Sequence, residues 1–126
     1  MKFHHIALTV SNYDEVVKFY KEGLGLKEKI AFNLGETKAI MLMLDDGGII
    51  EIFSNGTKDA ESNARWSHFC VAVPDVDAAY KKAIDAGATC RSEPADFTIE
   101  GHVKMPVRCA FVYGPAGEII EFFKEA

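Results

Sequence analysis

The feature that most constrains this chain is that it repeats itself. HIALTVSNYDEVVKFYKEGLG near the start lies over HFCVAVPDVDAAYKKAIDAGA, and GGIIEIF lies over GEIIEFF with five of seven positions identical. A spacing of 63 to 70 residues between copies is too long for a solenoid of about 20–50-residue repeats. Two copies of a small sheet-plus-helix unit fit it better, and neither copy alone can bury its sheet. The 126 residues are therefore expected to make one domain of two modules, about 1–56 and 66–126. The chain is 48% hydrophobic and 26% charged, an ordinary globular balance that excludes a disordered or fibrous chain. A net charge of −5 and a pI near 5.3 argue against a general attraction to nucleic acid. No apolar run approaches the ~18 residues that span a membrane. The start, MKFHHIALTV, is too short and too interrupted for a secretory signal. Cys70, Cys90 and Cys109 cannot all pair with one another, and an odd count without such a signal reads as reduced thiols and a cytoplasmic location.

Pattern reading gives the order β-α-β-β-β, polar linker, β-α-β-β-β, an α+β class. A β-like MKFHHIALTV leads into a helix over SNYDEVVKFYKEGLG. Asn12 and Glu15 fit a capping box, and Gly23 or Gly25 can close the helix in a left-handed turn. Strands are expected over Lys27–Leu34, Lys38–Leu44 and Ile49–Phe53, with Asp45-Asp46-Gly47-Gly48 as the turn before the last. Asn55–Arg65 reads as a linker. In the second copy WSHFCVAV is a strand, Pro74-Asp75 starts a helix over Val76–Ala86, and Gly87 ends it. Glu93-Pro94 and Met105-Pro106 suggest that Ala88–Pro106 is largely loop with short strands. Val107–Tyr113 and Glu118–Phe123 then read as strands around a Gly114-Pro115-Ala116-Gly117 turn.

The chemistry is carried by ionisable residues inside these apolar strands. His5 has its copy in His68, and Glu51 has its copy in Glu121. Strand alternation puts Ile49, Glu51 and Phe53 on one face, and likewise Ile119, Glu121 and Phe123. His5 shares a face with Ala7 and Thr9, and His68 with Cys70 and Ala72. The bulkier faces, Ile6/Leu8/Val10 and Phe69/Val71/Val73, should meet the helices. A lone strand His is usually structural, and a lone Glu can face solvent at a sheet edge. Occurring in both copies, the four together point to a metal. A buried carboxylate is costly unless it is protonated or meets a cation. Two carboxylates balance a divalent ion, and imidazole with carboxylate suits Zn, Ni, Co, Fe or Mn. By strand parity Thr9, Phe53, Cys70 and Phe123 can line the cavity. Arg108, with Arg65, Trp66, His102 and Lys104, lies near the variable loops, where it can hold an anionic substrate tail. His4 should face away from His5 and be structural or exposed.

HHIALTV followed by FYKEGLGLKE, WSHFCVAVPDVDAA and FVYGPAGEIIEFF resemble the vicinal oxygen chelate superfamily, which includes glyoxalase I, methylmalonyl-CoA epimerase, extradiol dioxygenases and bleomycin resistance proteins. The resemblance covers essentially the whole chain. It implies two βαβββ modules forming a cupped, incomplete glyoxalase-like barrel, with metal ligands at His5, Glu51, His68 and Glu121. That His/Glu/His/Glu set looks like glyoxalase I, whose glutathione-contacting asparagine is matched by Asn55. Thr9, Phe53 and Gly114 depart from that enzyme. The implied activity is a metal-dependent lyase or isomerase reaction through an enediolate, with Glu121 as the base and Glu51 as second ligand or partner base. A hemithioacetal with glutathione or another thiol is the expected substrate. The alternatives are an epimerase-like reaction on an acyl thioester and a binding protein without turnover. The resemblance also implies a homodimer.

Overall fold

A computed structural model describes residues 1–57, 65–114 and 119–126. Most of the expected linker (58–64) and the Pro115-Ala116-Gly117 turn lie outside the described residues. The elements are β1 (Lys2–Thr9), α1 (Tyr13–Lys18), β2 (Lys27–Leu34), β3 (Thr37–Met43), β4 (Ile49–Phe53), β5 (Arg65–Ala72), α2 (Val76–Asp85), β6 (Thr89–Glu100), β7 (Lys104–Tyr113) and β8 (Ile119–Glu125). The α+β class and the two βαβββ runs are as expected. The chain forms two compact units that do not coincide with its sequence halves. One comprises His5–Ser67 and Glu100–Val103, the other Met1–His4, His68–Ile99 and Lys104–Ala126.

In the first unit the strand order is β2-β3-β4-β1. The Leu44–Gly48 turn closes because the Leu44 amide donates to the Gly48 carbonyl at 2.8 Å. Gly47, at φ 89°, takes the left-handed conformation that a side chain resists. Helix α1 starts differently from the expected capping box. Asn12 makes no side-chain cap bond to the backbone; its amide donates instead to the Glu15 carboxylate at 3.2 Å. The helix runs on as a π-helical turn, Phe19–Gly23, and Gly25 at φ 79° redirects the chain into β2. Val16, Val17 and Tyr20 pack onto Leu8, Val10, Ile40, Leu42 and Ile52, so the bulky strand face meets the helix.

Gly56 fixes the exit from β4. Its amide donates to the Val10 carbonyl at 3.0 Å, and a Cβ there would lie 2.5 Å from the Val10 carbonyl carbon. Backbone cannot yield as a side-chain tip can, so Gly56→Ala should destabilise the fold by about 1–3 kcal/mol, read from urea unfolding. An unchanged midpoint would refute this packing.

In the second unit the order is β5-β8-β7-β6. Asp75 caps α2 by accepting from the Ala78 amide at 3.0 Å, and Gly87 at φ 108° ends it. The helix lays Ala79, Tyr80, Ala83 and Ile84 onto Val71, Val73, Ala110, Val112 and Phe122. The expectation of loop with short strands over Ala88–Pro106 is corrected: the stretch is mostly continuous strand, β6 and the start of β7. Pro94 is tolerated because β6 ends the strand order, where a missing amide interrupts no inner ladder. Pro106 precedes the first β7–β8 register pair, Val107 with Glu125.

Candidate metal centre

Each unit holds one buried histidine–glutamate pair. In the first, parallel β1 and β4 set Ala7 beside Glu51 and Thr9 beside Phe53. Antiparallel β3 sets Met41 opposite Glu51 and Ala39 opposite Phe53. This face is the reverse of the one that meets α1. His5 is 1% exposed and Glu51 4%, and His5 Nε2 lies 3.2 Å from Glu51 Oε1. The small Ala7 and the unbranched Met41 leave the carboxylate room between them.

The second unit repeats the arrangement. Parallel β5 and β8 set Cys70 beside Glu121 and Ala72 beside Phe123, while β7 sets Phe111 opposite Glu121 and Cys109 opposite Phe123. His68 Nε2 lies 3.0 Å from Glu121 Oε2, with side chains 8% and 7% exposed. The His68 ring meets Phe111 edge-on at 5.6 Å. Glu121 also marks its surroundings electrostatically. The half-buried Cys109 thiol is pushed up to about 11, first by burial and then by the Glu121 charge, so it stays protonated at neutral pH.

The other sequence candidates divide by face. Thr9 and Phe53 are half-buried on the face of Glu51, and Cys70 is buried beside Glu121. Asn55 is exposed just beyond β4. Arg108 is corrected: it sits opposite Lys124, on the helix side rather than the side of Glu121. Its Nε and Nη2 donate to the Asp77 carboxylate at 2.7 and 2.8 Å, and Nη1 donates to Asp96 at 3.0 Å. These bonds hold the Asp77 carboxyl below its usual range and tie α2 to β6 and β7. A surface hollow of about 510 Å³ opens beside Arg108 and Lys124. It is larger than a single water site, but its arginine is already committed to two carboxylates.

Two residues on the Glu121 side escaped sequence reasoning. His4 is not turned away: its ring lies 4.4 Å from that of Phe123, and its Nε2 is 3.6 Å from Glu125 Oε2. The His4-His5 doublet was the available signal. Arg91 places its guanidinium 5.3 Å from the Phe111 ring centroid; it lay hidden in a stretch expected to be loop.

Residues 2–122 match the family described as Glyoxalase/Bleomycin resistance protein/Dioxygenase superfamily. The uncharacterized protein YraH of Bacillus subtilis (strain 168) is 31% identical over 134 residues, spanning 98% of each chain. Among solved structures, hypothetical protein BH1468 from Bacillus halodurans C-125 superposes with a TM-score of 0.75 at 20% identity, covering 99% of this chain and 94% of that one. Streptomyces coelicolor methylmalonyl-CoA epimerase (Q60A) in complex with 2-nitronate-propionyl-CoA gives 0.74 at 20% identity, covering 100% and 98%. At such identity the likeness concerns the fold, and it bears out the glyoxalase-like fold expected from the sequence.

Proposed function

The chain belongs to the glyoxalase/bleomycin resistance protein/dioxygenase superfamily, and from that premise we propose that it is a metal-dependent enzyme moving a proton at carbon next to a carbonyl. The observation that carries this reading is the duplicated buried pair, His5–Glu51 at 3.2 Å and His68–Glu121 at 3.0 Å. The donor set fits one divalent ion (Zn, Ni, Co, Fe or Mn): two imidazoles, two charge-balancing carboxylates and no thiolate. When bound, the ion supplies Lewis-acid polarisation of the substrate oxygens. Glu121 would take the proton from carbon and return it, with His68 beside it as one of the imidazoles that would hold the ion. Glu51, held by His5, is the partner carboxylate. Burial of both pairs keeps bulk water from competing for the proton.

Two substrate readings follow. Epimerisation of an acyl thioester is favoured by the likeness to methylmalonyl-CoA epimerase structures and by Thr9 and Phe53, which depart from the glyoxalase I pattern. Isomerisation of a hemithioacetal of glutathione or another thiol to its 2-hydroxyacyl thioester, by proton transfer between adjacent carbons, is favoured by the four-ligand set and Asn55. In either case the ligand is a small molecule, with Thr9, Phe53 and Cys70 lining its approach and the chain acting as a homodimer in the cytoplasm. No helix among the described residues is long and apolar enough to cross a membrane. The test is deuterium uptake from D2O at the substrate α-carbon, followed by NMR. Metal-loaded protein should exchange that proton in methylmalonyl-CoA faster than in the glutathione–methylglyoxal hemithioacetal. The reverse order selects the lyase, and no exchange in either with any of the five metals ends the enzymatic reading.

A further inference from the structure

We propose that Arg91 is the anion anchor of this site, so that the substrate carries a carboxylate or phosphate close to its reacting carbon. The inference rests on the proton-transfer reading above and adds a substrate class to it. Phe111 stands opposite Glu121 in the β7–β8 register, so its ring is on the face of the catalytic carboxylate. That ring is shared by two contacts: His68 meets it edge-on at 5.6 Å, and the Arg91 guanidinium lies 5.3 Å from its centroid. Placed in series, these two distances keep the guanidinium within about 11 Å of the His68 ring.

The two arginines with described side chains in this unit have opposite commitments. Arg108 spends three donors on Asp77 and Asp96 on the helix side. Arg91 meets no carboxylate at ion-pair distance among the described residues. It is exposed, yet held in place by an aromatic face, which restrains the side chain and leaves the planar donor fork available. A fork of that kind matches a carboxylate or phosphate in two-point contact. With a chain charge of −5, general electrostatics disfavour an anionic ligand, so any preference for one must be made locally.

Two hydroxamates, both chelators through vicinal oxygens, test this by calorimetry on the metal-loaded protein. Acetohydroxamate has no second anionic group, whereas the monohydroxamate of succinic acid adds a carboxylate three bonds from the chelating carbonyl. The native chain should bind the carboxylated probe at least about tenfold more tightly. Arg91→Gln should erase that preference while leaving acetohydroxamate affinity unchanged, and Arg91→Lys should retain part of it. Equal affinity for the two probes, or a preference that survives Arg91→Gln, overturns the anchor and leaves the metal reading standing. If neither probe binds the loaded protein, the metal reading fails and the anchor falls with it. Unchanged acetohydroxamate binding in the variants serves as the control for folding.

Discussion

Glu121→Gln should lower α-proton exchange by about 10²–10⁴-fold, the range expected when a positioned general base is lost. Gln has nearly the shape of Glu, and its amide oxygen can still face His68 Nε2, which lies 3.0 Å from the native carboxylate. The fold should therefore survive with an unfolding midpoint close to native. A variant that keeps full exchange with its ion bound would show that another group takes the proton. Glu51→Gln is the informative companion. Loss on one side alone would assign the base, and equal losses would mark the two carboxylates as a working pair.

The largest stability effect should come from removing one member of a buried pair. His5→Leu leaves Glu51, 4% exposed, without the imidazole 3.2 Å away. Breaking such a pair costs roughly 3–5 kcal/mol, whereas replacing both members with apolar residues is often neutral. The double variant His5→Leu/Glu51→Met should accordingly recover most of the stability in urea unfolding, while losing exchange activity. A native-like midpoint for the single variant would mean that the pair contributes little to folding. A double variant as unstable as the single one would point to packing around Ala7 and Met41, not charge, as the origin of the loss.

The fold was legible because the chain states it twice. The internal repeat gave two βαβββ runs, and period-two alternation placed Leu8 and Val10, then Val71 and Val73, on the faces that the helices cover. Reading failed where local signals were outvoted by sheet context. Pro94 and Pro106 look like breakers, yet a terminal strand and a strand start accept them, so the long β6 reads from sequence as loop with short strands. That error concealed Arg91, whose role depends on the ring of Phe111 across the sheet. Asn12 and Glu15 have the spacing of a capping box, but they bond to each other, a choice that spacing cannot reveal. Arg108 misled for a similar reason. Its place near a loop suggested an anion site, while register puts it with Lys124 on the side of Asp77. For the site itself, parity put His5, Glu51, His68 and Glu121 on the faces away from the helices; that each histidine sits beside one glutamate comes from the geometry. Parity misplaced His4: alternation turns it away from His5, yet it reaches Phe123 and Glu125.

The claim beneath this account is that two histidine–glutamate pairs serve one divalent ion. The metal-to-chain ratio, measured by plasma mass spectrometry after loading and desalting, addresses it directly. The native chain should retain one ion, and both His5→Leu/Glu51→Met and His68→Leu/Glu121→Met should retain none. A native ratio of zero, or an ion that persists when either pair is replaced, would contradict it.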